Sequence, residues 1–228
     1  MTGVASNTHN GVTRTSLNER TAEAAIIRTI ERFRARQLPA TWFLDDDSTP
    51  TDLGPRLEAA GCRSERSAWV MGADLADLPG GQPLPRTVAV EEVTDLRQLD
   101  DWFRAAREVT FDDDESSRDH RRRLYASLGL GAARPWRHWL ATDRGRPVGT
   151  ASALFTGNIV ALEHIGVMPE HRRRGIGSAL TLAPIIAGRT QGLGFAVLGP
   201  SPEGQPLYEA LGFELTPALA DREYYLPL

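Results

Sequence analysis

The 228-residue chain has no lysine: all 26 of its basic residues are arginines. That absence removes whole reaction classes. A Walker-type nucleotide loop needs its lysine, and so do Schiff-base chemistry and attachment of pyridoxal phosphate. Cysteine is nearly absent too. Cys62 is the only one, which rules out an internal disulfide framework and a cysteine-rich zinc site. No metal is expected, and a reducing, cytoplasmic location is. No apolar run is long enough to cross a bilayer, so no membrane partner is expected. The N-terminal stretch "MTGVASNTHNGVTRTS" lacks the basic start and apolar segment of a signal peptide, and residues 1–16 read as a polar, disordered tail. Positive charge is not in excess. The formal net charge of −4 argues against a nucleic-acid partner.

What is present alternates between helical and extended periodicity. Apolar residues at Ala22, Ala25, Ile26, Ile30 and Phe33 have helical spacing. "ATWFLDD" reads as a strand, "TPTDLGPRLEAAG" as a short helix stopped at Gly61, and "SAWVMGADL" as a further strand. "PGGQPLP", residues 79–85, is the clearest linker. Beyond it come a strand, two helices, a hairpin around Arg144 to Arg146, and the near-continuous apolar strand "IVALEHIGVM" expected in a sheet covered on both faces. A glycine loop, a helix, the strand "GFAVLGP", the short helix "GQPLYEALG" and the strand "REYYLPL" complete it. The pattern predicts an α/β (α+β) sheet domain over residues 86–228.

The two halves echo each other. "LEAAGC" at Leu57–Cys62 parallels "YEALGF" at Tyr208–Phe213. Each follows a long helix, a strand and a Ser/Pro-rich turn, and each precedes a final strand. Residues 17–78 are read as a degenerate copy of the C-terminal half-domain. Leu57 stands where Tyr208 stands, and the copy lacks the arginine–glycine loop, so it is expected to serve packing.

The loop in question is "VMPEHRRRGIGSAL", residues 167–180. The dinucleotide pattern G-x-G-x-x-G fails because Leu180 occupies the third glycine position. What remains is R-x-x-G-x-G, filled by Arg172, Gly175 and Gly177, between a buried strand and a helix. Glycines let the backbone approach a ligand closely. The first helical turn offers unpaired N–H groups and the positive end of the helix dipole. Together these suit a pyrophosphate. Arg172, Arg173 and Arg174 add charge, and the Ser178 hydroxyl adds a donor.

"IGVMPEHRRRGIGSAL" resembles the acyl-coenzyme A binding motif of the GNAT superfamily of N-acetyltransferases, and "VLGPSPEGQPLYEALGF" resembles the segment that follows it. The order and spacing agree over residues 86–228, and with the half-copy the chain resembles a two-lobed GNAT protein. The resemblance implies a GNAT-like mixed central sheet flanked by helices. It also implies acetyl-CoA as donor, an amine as acceptor and direct attack within a ternary complex. It assigns the coenzyme to the backbone of Arg173, Arg174, Gly175, Ile176, Gly177 and Ser178 with Arg172. The thioester falls to the backbone of Ile165, Gly166 and Val167, with Gly166 keeping the strand open to pantetheine.

Two proton-handling groups are needed. An alkylamine has a pKa near ~10 and is mostly protonated at neutral pH. Glu163 is the candidate base, on a strand face with Ile159, Ala161, Ile165 and Val167; the competing reading is a structural ion pair with an arginine. His164 is expected on the opposite face unless a bulge intervenes. Tyr208 matches the family's tyrosine and is assigned as general acid to the departing thiolate, against a reading as a packed aromatic. Ser201 is read as touching either the pantetheine arm or its own turn. Pro184 and Gly188 are expected to kink or shorten the helix after the loop.

The acceptor is a small-molecule or peptide amine of undefined identity. Asp112, Asp113, Asp114 and Glu115 either attract a cationic amine or cap the next helix. A non-catalytic acyl-CoA sensor or partner-binding module is the alternative function, and a homodimer is compatible with the sequence.

Overall fold

The computed structural model describes residues 10–65, 70–110, 115–216 and 222–226. Six α-helices lie among them: α1 (Ala22–Arg34), α2 (Leu53–Ala59), α3 (Leu96–Val109), α4 (Glu115–Leu128), α5 (Ile176–Thr190) and α6 (Gln205–Leu211). The strands are β1 (Gly11–Val12), β2 (Ala40–Leu44), β3 (Arg63–Glu65), β4 (Met71–Asp74), β5 (Val88–Glu92), β6 (Trp136–Asp143), β7 (Arg146–Thr156), β8 (Ile159–Val167), β9 (Phe195–Leu198), β10 (Glu214–Leu215) and β11 (Arg222–Leu226).

These elements form two compact units. The first has a four-stranded sheet ordered β1-β2-β11-β3. Its helix α1 buries Ala22, Ile26, Ile30 and Phe33, the helical stripe read from the sequence. The core adds Trp42, Leu53, Leu57 and Tyr224. Leu57, the counterpart of Tyr208, is fully buried, so in this copy the position is a packing residue.

Residues 10–16 do not behave as the disordered tail expected of them. β1 pairs in parallel with β2, Asn10 and Thr15 are buried, and the Trp42 indole N–H donates to Thr15 Oγ1 at 2.7 Å. A buried indole donor requires an acceptor, and this polar segment supplies one. Residues 1–9 lie outside the described residues.

The second unit has a seven-stranded sheet ordered β10-β4-β9-β8-β7-β6-β5, antiparallel except for β8 with β9. Helix α5 packs against its core of Ala151, Ala153, Val160, Leu162, Ala196 and Leu198. Helix α3 begins at a capping box in which Asp95 accepts from the Gln98 N–H. Its Leu99, Trp102, Ala105 and Ala106 form a second cluster with Tyr125 and Leu140.

The sheets correct the expected boundaries of 17–78 and 86–228. β4, from the first half of the sequence, pairs with β9 and β10. β11, from the second half, pairs with β2 and β3. The halves therefore run α1-β2-α2-β3-β4 and α5-β9-α6-β10-β11, and each passes its last strand to the other sheet. In both sheets the exchanged strand fills the same slot, antiparallel between the two preceding strands of the other half. This common topology supports the internal repeat.

Helix α5 also departs from expectation. It continues through Pro184 to Thr190. Gly188 serves packing there: a Cβ would meet Val160 Cγ2 at 2.5 Å.

Candidate active site

The site is built where β8 leaves β9. The parallel ladder ends at Leu162 with Leu198, while β8 continues to Val167, still paired on its other side to Thr150 and Gly149. The β9-facing edge of residues 163–167 thus opens as the strands diverge. Backbone groups of Ile165, Gly166 and Val167 lie along this stretch.

A bulge redirects the side chains. The register shifts between Thr150 and Ser152, and His164 takes a φ of 53°. His164 therefore turns to the α3 face, its ring 5.9 Å from Trp102 and 5.9 Å from Trp136. Glu163, directly opposite Ser152, shares that face. Ile165 and Val167 pack instead against the cluster that includes α5. The strand face expected for Glu163, Ile165 and Val167 together is thus split by the bulge. Gly166 has a packing role of its own. A Cβ there would meet Val109 Cγ2 at 2.6 Å and Thr110 Cγ2 at 3.0 Å, so its missing side chain admits the end of α3.

Glu163 is exposed, yet the protein around its carboxyl pushes its pKa above the ordinary value. Among the described residues no arginine forms an ion pair with it.

Beside Glu163 lies a pair that the sequence reading missed. Ser152 is opposite His138 on β6, and His138 Nδ1 is 2.7 Å from Ser152 Oγ. Both are buried, and Tyr125 stacks on the His138 ring at 4.9 Å. Only their shared strand face joined them in sequence. Burial lowers the His138 pKa to about 3, so the ring is neutral at physiological pH. The depressed value has a measurable consequence. Stability from neutral His138 is fully present above pH ~6.5 and is lost as pH falls toward its folded value, by about 3 kcal/mol at pH 4. Denaturant unfolding at pH 7 and pH 4 should show this loss, and His138→Gln should flatten it. A wild-type profile already flat between those values would contradict the assignment.

The arginine–glycine loop follows β8. Arg173, at φ 58°, and Gly175, at φ 80°, flank Arg174 in the left-handed region. Such alternation turns successive N–H groups toward one side. Gly175 is the N-cap of α5, which places the dipole's positive end at the loop. A Cβ on Gly175 would sit 3.1 Å from Gln82 Nε2 and 3.3 Å from Pro83 O, so residues of the 79–85 linker border this turn. Arg172 is exposed and donates through Nε to Val167 O at 3.1 Å. Ile176 is buried, anchoring the first turn, and Ser178 is half-buried. Gly177 faces α6: a Cβ there would lie 3.0 Å from Leu207 Cδ1. Arg174 is turned away from this group, donating to Asp143 Oδ2 at 2.8 Å.

Tyr208 sits on α6, buried, with Phe213 edge-on at 6.1 Å. Burial raises its phenol to about 12. Ser201 Oγ accepts from the Gly204 N–H at 3.1 Å, and so belongs to its own turn. Glu115 occupies the first turn of α4; Asp112, Asp113 and Asp114 lie outside the described residues. Among the described residues no group of His, Cys, Asp and Glu could hold a metal, and no helix is long and apolar enough to cross a membrane.

Residues 134–215 match the family model described as the acetyltransferase (GNAT) domain. No curated protein matches the sequence. The fold is similar to that of a GCN5-related N-acetyltransferase from Kribbella flavida, with a TM-score of 0.68 and 17% identity over 94% of this chain and 79% of that one. It is similar to one from Sphaerobacter thermophilus, with a TM-score of 0.62 and 20% identity over 91% and 67%. A tandem GNAT protein from the clavulanic acid biosynthesis pathway gives a TM-score of 0.61 and 20% identity over 92% and 70%. Over residues 134–215 the chain is thus similar to the GNAT acetyltransferase domain, and its fold is similar to those of GCN5-related N-acetyltransferases.

Proposed function

We propose that the protein is an acetyl-CoA-dependent N-acetyltransferase acting on a primary amine by direct attack within a ternary complex. The observation that carries this reading is the junction of the opened β8 edge with the N-terminus of α5. One end offers backbone groups beside Glu163; the other offers converging N–H groups and arginine charge. Acetyl-CoA supplies the thioester carbonyl when bound. The loop from Arg172 to Ser178 holds its diphosphate, and backbone N–H groups of residues 165–167 orient the carbonyl oxygen. A preorganised donor of this kind is worth ~3–4 kcal/mol in the transition state.

The Glu163 carboxylate takes the proton from the ammonium, directly or through water. Its raised pKa makes it a better base than an ordinary carboxylate. Tyr208 Oη donates to the leaving sulfur. Its pKa of about 12 stands above the ~8.5 of a thiol, so full transfer to a relaxed thiolate is uphill by ~5 kcal/mol. Tyr208 therefore acts as a hydrogen-bond donor while charge builds on sulfur. Tyr208→Phe should slow transfer about 10- to 100-fold, the worth of a hydrogen bond to a charged group, with little change in acetyl-CoA affinity. Single-turnover kinetics beside a binding titration would check this; equal rates in both proteins would reduce Tyr208 to a packed aromatic.

The decisive assay is thiol release from acetyl-CoA across a panel of small-molecule amines and peptide N-termini. Amine-dependent release supports the enzyme. Tight binding without release from any amine supports an acyl-CoA sensor instead. We place the protein in the cytoplasm, from its single buried cysteine.

A further inference from the structure

We propose that Asp143 is a positioning residue for the coenzyme loop, and that Arg174 serves as its strut and does not touch the phosphate. This rests on the coenzyme reading above and assigns a division of labour among its three arginines.

Asp143 closes β6 at the turn of the β6–β7 hairpin, paired in register with Arg146 and Val88. Only 11% of its side chain is exposed. Arg174 NH1 donates to its Oδ2 at 2.8 Å, and the same NH1 is 3.0 Å from His171 Nδ1. His171 Nδ1 is itself 3.4 Å from Oδ2. The carboxylate thus holds Arg174, whose NH1 also donates to His171 Nδ1, so both ends of the segment His171–Arg174 are tied together at the rigid sheet. Its own charged form is favoured, first by the Thr87 hydroxyl and then by Arg174.

The consequence is local. Arg173, with a left-handed backbone that a non-glycine residue adopts at a cost, lies between the two gripped residues. Gly175 follows directly. A clamp on each side of Arg173 holds the alternating backbone that points its N–H groups at an anion. The guanidinium of Arg174 already faces a carboxylate, so its charge is neutralised within the protein. Arg172 and Arg173, both exposed, remain to meet the diphosphate.

The test is acetyl-CoA binding by calorimetry for wild type, Asp143→Asn, Arg174→Met and the double variant. Each single variant should weaken binding about tenfold, the low end of what orienting partners contribute at ligand sites. The double variant should bind no worse than either single one, because both remove the same clamp. The salt dependence of binding should be the same in wild type and in the double variant, since removing both partners of a neutralised pair leaves the screened attraction unchanged. Thermal melting shows whether each variant is folded, and Arg174→Lys, which restores one donor, should recover part of the affinity.

Several results would overturn the clamp. Asp143→Asn could bind as wild type does, or more tightly. The double variant could flatten the salt dependence, which would make Arg174 a direct phosphate ligand. The losses in the double variant could multiply to about a hundredfold. If wild type itself binds no acetyl-CoA, the coenzyme reading fails first, and the variants are then compared for melting temperature alone, where a loop strut should still show a loss.

Discussion

Gly175→Glu should weaken acetyl-CoA binding by at least about 100-fold, from three effects that act together. The native φ of 80° is one that an L side chain rarely adopts, and forcing it costs about 1–3 kcal/mol. The new Cβ would press on Gln82 and on the Pro83 carbonyl. The added carboxylate would occupy the helix N-terminus as a competing anion. Gly175→Ala separates these contributions, since it keeps the strain and the contact without the charge. It should fall between wild type and the glutamate variant. Calorimetry with thermal melting reads both. A glutamate variant that folds and binds like wild type would remove the loop from the coenzyme site.

Glu163→Gln should lower the rate of amine acetylation about 10²- to 10⁴-fold, the usual worth of a positioned base, while acetyl-CoA affinity stays near wild type. The pH profile carries the sharper signature. Glu163 works only when ionised, and its pKa is raised above the carboxylate norm. The wild-type rate should therefore climb with pH through that raised value. The glutamine variant should lose this limb and follow the amine's own deprotonation near ~10. The Tyr208 phenol, at about 12, contributes no falling limb below pH 10. A glutamine variant within about threefold of wild type would return the role of base to water alone.

Much of the site was legible because it is local. Strand, arginine, glycine and helix follow each other within residues 159–190, and local order is what periodicity and cap chemistry read. Tyr208 was legible for the same reason, lying within one strand–turn–helix segment. What was missed depends on distant partners. Nothing in "SAWVMGADL" or "REYYLPL" states which sheet a strand will join, so the exchange of β4 and β11 was invisible. β3 and β10 have only three and two residues, too short for an alternation to show. The bulge at His164 follows from pairing with β7, and it moved Ile165 and Val167 off the face assigned to Glu163. The ion pair of Arg174 was not legible because its partner Asp143 lies 31 residues away. Residues 10–16 looked disordered because their polar side chains find buried partners, such as Trp42, far along the chain.

The central claim is that the loop from Arg172 to Ser178 and the opened edge of β8 form one coenzyme site. Its most direct test is a calorimetric titration of the full chain with acetyl-CoA. The account predicts saturable one-to-one binding, displaced by free CoA, with a dissociation constant between about 1 μM and 1 mM, the range in which enzymes usually hold their substrates. A chain that melts cooperatively yet gives no heat of binding up to that limit would contradict it, and would leave the three arginines as a solvated face.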